Sequence, residues 1–110
     1  MRGLSFYDDG EYYAVDVTLV QKVVRNITYT PVPAAPGAVA GIANLKGGIV
    51  TLFSLADLLK RKFTGNANDA VIFKPLTDGN DQLGLLINKP GDIIDINEEE
   101  ISPAPVTRIA

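Results

Sequence analysis

Acid–base, nucleophilic and metal chemistry draw on side chains that this sequence largely lacks. Its 110 residues contain no histidine and no cysteine. Proton transfer near neutral pH would fall to a carboxylate, lysine or tyrosine of displaced pKa, and zinc would lack both of its preferred soft ligands. Disulfides are excluded, and nothing argues for an oxidising compartment. Four clusters remain. Glu98-Glu99-Glu100 offers contiguous carboxylates, but neighbours on a loop splay into solvent and calcium-loop spacing is absent, so no metal is expected. Lys60-Arg61-Lys62 reads as the solvated last turn of a helix, where cations suit the dipole. Pro31-Val32-Pro33-Ala34-Ala35-Pro36 has the form of a ligand for proline-recognising domains, with a stiff inter-strand connector as the plainer reading. Asn44-Leu45-Lys46-Gly47-Gly48 is an exposed turn whose glycines permit positive φ. No nucleophile–base pair and no phosphate-cradling glycine loop is present, so neither an enzyme nor a cofactor is expected.

Charge narrows the partners. The formal net charge is −3, whereas a nucleic-acid binder needs clustered Lys and Arg to displace counterions from phosphates. No apolar stretch approaches the roughly 18 residues of a membrane span, and the N-terminus has no long apolar core of a signal peptide. The expectation is a cytoplasmic protein, neither inserted in a membrane nor bound to nucleic acid.

The elements that would carry these clusters are short strands. Residues 4–7 and 12–15 are β-rich runs about Asp8-Asp9-Gly10-Glu11 and predict a hairpin. Asp16 can cap a brief helical turn over residues 18–21, after which Val23, Val24, Ile27 and Tyr29 return to β character. Prolines 31, 33 and 36 force a connector. Residues 39–45 and 49–54 then form a second hairpin about Lys46-Gly47-Gly48, followed by a short helix in which Leu55, Leu58, Leu59 and Phe63 share a face behind a Ser54 cap. Beyond a polar break at 64–69 lie strand-like runs at 70–74, 83–87 and 92–96, with turns at 77–81 and at Pro90-Gly91. This pattern indicates an all-β sandwich or small barrels.

The later strands echo the earlier ones. Tyr13-Ala14-Val15 matches Leu83-Gly84-Leu85 and Val23-Val24 matches Ile93-Ile94, both at an offset of 70, while Pro31-Val32-Pro33 returns as Pro103-Ala104-Pro105. Two related halves follow, residues 1–63 and 70–110, within one domain. The second stops five residues after Pro105. It would lack its last two strands and helix, and the uncovered apolar surface and edges suggest a homodimer through exposed strands.

Two segments carry a family resemblance. One is Tyr12-Tyr13-Ala14-Val15-Asp16-Val17 with Val20-Gln21-Lys22-Val23-Val24. The other is Pro31-Val32-Pro33-Ala34-Ala35-Pro36 with Gly41-Ile42-Ala43-Asn44-Leu45-Lys46-Gly47-Gly48-Ile49-Val50 and Leu55-Ala56-Asp57-Leu58-Leu59. Together they resemble the signature of the CheW family of chemotaxis coupling proteins, over nearly the whole chain but only about two thirds of a typical family domain. The resemblance implies two small SH3-like barrels, the second incomplete, and a non-catalytic adaptor in the two-component chemotaxis system that bridges chemoreceptor signalling domains to the histidine kinase CheA. It also implies a partner-binding set: Val20 and Gly41 fall at positions the family uses around receptor contact, and Asn44, Lys46 and Gly47 fall on its Asn-Leu-Arg-Gly motif. Lys46 departs from that arginine, keeping the charge but losing the planar fork that grips a carboxylate twice. Lys22 stands where the family commonly has glutamate, a reversal of charge. From the residues alone, Val20 and Val39 are more readily core than contact, and Gly41 serves close packing or a partner's approach equally. The alternative is a small β-barrel module without a coupling role, including an RNA-binding barrel, which would need basic and aromatic faces that this sequence lacks.

Overall fold

The computed structural model describes residues 1–8, 10–32, 39–45, 48–54, 68–75, 82–97 and 106–109. The expected helix over residues 55–63, the Lys46-Gly47 tip, the basic run 60–62 and the acidic run 98–100 lie outside them. The described elements are ten strands and one 3-10 turn at Val17–Leu19: β1 Arg2–Asp8, β2 Glu11–Asp16, β3 Val20–Val24, β4 Thr30–Pro31, β5 Val39–Leu45, β6 Gly48–Ser54, β7 Asp69–Phe73, β8 Gln82–Ile87, β9 Lys89–Asp95 and β10 Val106–Ile109. The fold is all-β, as the sequence predicts.

The strands form two sheets, one ordered β10-β2-β1-β9 and the other β3-β7-β8-β6-β5-β4. Each draws strands from both the 1–63 and the 70–110 portions of the chain. The β1–β2 hairpin lies in the first sheet, but the next strand, β3, crosses to pair with β7. Reciprocally, β7 and β8 pair in the second sheet while the next strand, β9, crosses to pair with β1. The repeat at offset 70 is therefore a reciprocal exchange of the third strand.

Alternation along the strands places the core. Leu4, Phe6, Tyr13 and Val15 from the first sheet meet Val71, Leu85 and Ile87 from the second, with the Phe6 and Tyr13 rings stacked at 5.7 Å. The other face of the second sheet carries a separate core of Ile27, Ala43, Val50, Leu52, Ala70, Ile72 and Leu86. The central strands β7 and β8 are apolar on both faces because they supply both cores, as continuous runs such as Ala70-Val71-Ile72 require. Burying each such large side chain contributes about 1.5–3 kcal/mol.

The helical turn expected over residues 18–21 is a 3-10 turn at Val17–Leu19, with Val20 and Gln21 in β3. Two further expectations change. Pro90-Gly91, expected as a turn, lies inside β9. This strand is a sheet edge, where a proline's missing N–H costs no ladder bond. The register slips so that Gly91 and Asp92 together face Ser5. Buried Ser5 closes this bulge by donating its hydroxyl to the Asp92 carbonyl at 2.9 Å and accepting from the Asp92 amide at 2.8 Å. A Cβ on residue 91 would stand 2.4 Å from Ser5 Oγ, so glycine is required. The second change is β10, which the sequence left as a remnant and which pairs with β2 from Val106↔Val15 to Ile109↔Tyr12.

The edges carry features that hinder addition of a further strand: Pro90 and a bulge on β9, a two-residue β4 ending in Pro31, and a bulge with exposed Lys22 on β3. Among the described residues no helix is long and apolar enough to cross a membrane.

Candidate partner-binding surface

A β-bulge organises the first candidate segment. Val20 pairs with Phe73 and Lys22 with Ile72, leaving Gln21 as an extra residue. In a regular strand Val20 and Val23, three apart, would face opposite sides. The bulge lets both pack against the inter-sheet core. It also turns Lys22 to the opposite side from Val20, where it is exposed. Val20 is thus partly core and Lys22 is the segment's accessible charge.

Two polar ties hold this strand. Upstream, Asp16 caps the 3-10 turn, its carboxylate accepting from the Thr18 amide at 2.9 Å and the Thr18 hydroxyl at 2.8 Å. These hydrogen bonds, the backbone one foremost, hold its pKa below the ordinary aspartate range. Downstream, the buried Asp69 carboxylate accepts from the Asn26 amide at 2.9 Å and pairs with Arg25 Nε at 2.9 Å. Asn26 takes φ 53°, a left-handed conformation that asparagine tolerates, and the Ile27 amide donates to the Asn68 carbonyl at 2.8 Å. The start of β7 therefore fixes the end of β3.

A second bulge shapes β5, where Val39 pairs with Phe53 and Gly41 with Leu52. Gly41 is buried, and a Cβ there would lie 2.5 Å from both the Thr30 carbonyl oxygen and Tyr29 Cδ2. Its glycine admits β4 to the sheet. Asn44 is exposed opposite Ile49. Lys46 and Gly47 are outside the described residues.

The candidate residues form two groups. Val20 and Lys22 stand on the β3 edge, while Gly41 and Asn44 stand on β5, with β7, β8 and β6 between them. At about 4.8 Å per strand the groups are some 15–20 Å apart along the sheet.

Register reveals surface residues that the sequence reading missed. Val39, Phe53, Leu85, Val71 and Val23 make an apolar row across five strands, facing the first sheet. The next row, Ile42, Thr51 and Leu83, lies on the same face but emerges into solvent. Ile42 is 41% exposed, Leu83 40% and neighbouring Ile49 56%. This exposed row extends the buried interface between the sheets and includes no charged residue. Its signal in sequence was slight, because joining β5 and β6 to Leu83 requires the parallel β6–β8 pairing. Among the described residues no group of three or more His, Cys, Asp or Glu could hold a metal ion.

Comparison with known proteins agrees with this architecture. A family model described as a CheW-like domain matches residues 2–110. Chemotaxis protein CheW of Helicobacter pylori is 30% identical over 105 residues, covering 94% of this chain and 62% of that protein. Chemotaxis protein CheW of Thermotoga maritima is 29% identical over 98 residues, covering 89% and 64%. The crystal structure of the scaffolding protein TtCheW from Thermoanaerobacter tengcongensis matches with a TM-score of 0.75 at 26% identity, over 94% of this chain and 70% of that one. The chain spans about 62% of the length of the curated relatives that it matches.

Proposed function

The chain belongs to the CheW-like domain family, and from that membership we propose that it is a non-catalytic cytoplasmic adaptor linking chemoreceptor signalling domains to the histidine kinase CheA. One structural observation carries the reading. The candidate residues divide between two surfaces on opposite parts of a single sheet, the β3 edge and the β5–β6 hairpin with its exposed apolar row. An adaptor must hold two partners at once, and two separated surfaces on one sheet provide for that. In this reading Val20, Lys22, Gly41, Asn44, Lys46 and Gly47 belong to the binding surfaces. Lys22 and Lys46 supply charge, Asn44 supplies a side-chain amide, and Gly41 acts by shaping the backbone.

The test is capture of purified CheA and receptor signalling domains by the tagged chain, with Lys22→Glu and Lys46→Glu compared against wild type. Reversing an exposed charge at a rim changes association more than stability. Each variant is expected to lose capture of one partner while melting as wild type does. Capture of both partners unaffected by both reversals would refute the assignment.

A further inference from the structure

The bulge that separates Val20 from Lys22 has a side-chain restraint of its own. Gln82, at the start of β8, reaches across β7, its amide nitrogen donating to the Phe73 carbonyl at 3.2 Å and to Gln21 Oε1 at 2.6 Å. Gln21 is the extra residue of the bulge, and Phe73 is the ladder partner of Val20. One amide group thus ties three adjacent strands at the point where β3 changes face.

We propose that Gln82 is a positioning residue for the β3 contact edge: through Gln21 it holds the bulge that turns Lys22 outward while Val20 stays on the core. This rests on the reading of Lys22 as a partner contact. An edge strand is hydrogen-bonded on one side alone, and an unpaired bulge residue has no ladder bonds of its own to steady it. The apolar side chains of Val20 and Val23 select the bulged register, and the Gln82 amide limits fraying within it. Bound partner would meet Lys22 in this one shape, so any fraction of time spent frayed subtracts from apparent affinity. Gln82 lies 60 residues from Lys22 in sequence and need not touch the partner.

The experiment uses the whole chain with purified CheA and receptor signalling domain as probes. Gln82→Met and Gln21→Met remove the amides at nearly constant length, and Gln21→Glu keeps an acceptor for Gln82. Each hydrogen bond lost shifts the frayed-to-bulged ratio about 2- to 10-fold, so Kd should rise by up to that factor for Gln21→Met and by at least as much for Gln82→Met, which loses the Phe73 bond as well. The double variant should be no weaker than Gln82→Met alone, because Gln21 acts through Gln82, and Gln21→Glu should retain wild-type affinity. In the free protein, amide exchange across residues 20–24 should quicken by a similar factor in the methionine variants. A tie serving global stability alone would lower Tm and leave Kd unchanged, which overturns the proposal. Additive losses, or exchange across residues 20–24 identical to wild type, overturn it as well. If Lys22→Glu binds normally while exchange responds as described, the contact assignment fails and the restraint on the bulge stands.

Discussion

Gly41→Ala separates two meanings of a residue proposed above to belong to a binding surface. The added methyl would lie 2.5 Å from the Thr30 carbonyl oxygen, 2.5 Å from Tyr29 Cδ2 and 3.1 Å from the Thr30 carbonyl carbon. Carbon–oxygen contacts settle near 3.3–3.6 Å, so relief requires β4 to withdraw by about 1 Å. Two ladder pairs, Thr30↔Ile42 and Pro31↔Gly41, hold β4 in place, together with the Val32 amide donating to the Ala40 carbonyl at 3.2 Å. β4 is an exposed two-residue edge and can move, which confines the cost to the overpacking range of about 1–3 kcal/mol. For a domain of this size that corresponds to a fall in Tm of about 5–20 °C. Urea unfolding would read the loss and amide exchange at Val32 would locate it. Partner capture should follow the fraction of molecules with β4 in place. A variant with wild-type stability and Val32 protection that nonetheless fails to bind would refute the packing argument and make Gly41 a direct contact.

Asp69→Ala should destabilise by about 2–4 kcal/mol, since it strands the Asn26 amide and removes a charged acceptor from a buried position. Arg25→Ala should cost about 0–1 kcal/mol, because the Arg25 side chain is 65% exposed and solvent screens the pair; equal losses in denaturant titrations would contradict this asymmetry. The depressed pKa of Asp16 makes its contribution fully present above the unfolded value of about 3.9, with loss as pH falls through the lower folded value. The stability gap between wild type and Asp16→Asn should therefore narrow only below about pH 4, and a gap that instead closes between pH 5 and 7 would assign it to another group.

The hairpins were legible because their cues are local. Residues 4–7 with 12–15, and 39–45 with 49–54, are β-rich runs flanking glycine-bearing turns, and the Asp16 cap needs only Thr18 two residues on. What escaped depends on neighbours distant in sequence. Pro90-Gly91 carries every local mark of a turn, and only the close approach of Ser5, 86 residues away from Gly91, makes it a strand bulge. Gln21, expected in the helical turn over residues 18–21, is instead the extra residue of a strand bulge, set by the pairing of Val20 and Lys22 with β7. Val20 and Val23, apolar and three apart, mark a bulge only where a strand serves one core, since regular β7 carries Ala70 and Phe73 at the same spacing. The Ile42–Leu83 row had no such sign.

The offset-70 echo was visible, but a repeat in sequence does not say which copy a strand will join. Each half sends its third strand to the other's hairpin, β3 to β7 and β9 to β1. Both joins are edge pairings, so the segments that leave each half remain half-paired. An edge is where backbone groups and side chains such as Lys22 stay accessible, and where a bulge can re-aim a side chain without disturbing a second neighbour. The exchange joins the halves and creates the β3 edge in one step. The surface proposed to meet a partner is thus a consequence of how the two halves interlock, with Gln82 of the second half reaching back to Gln21 of the first.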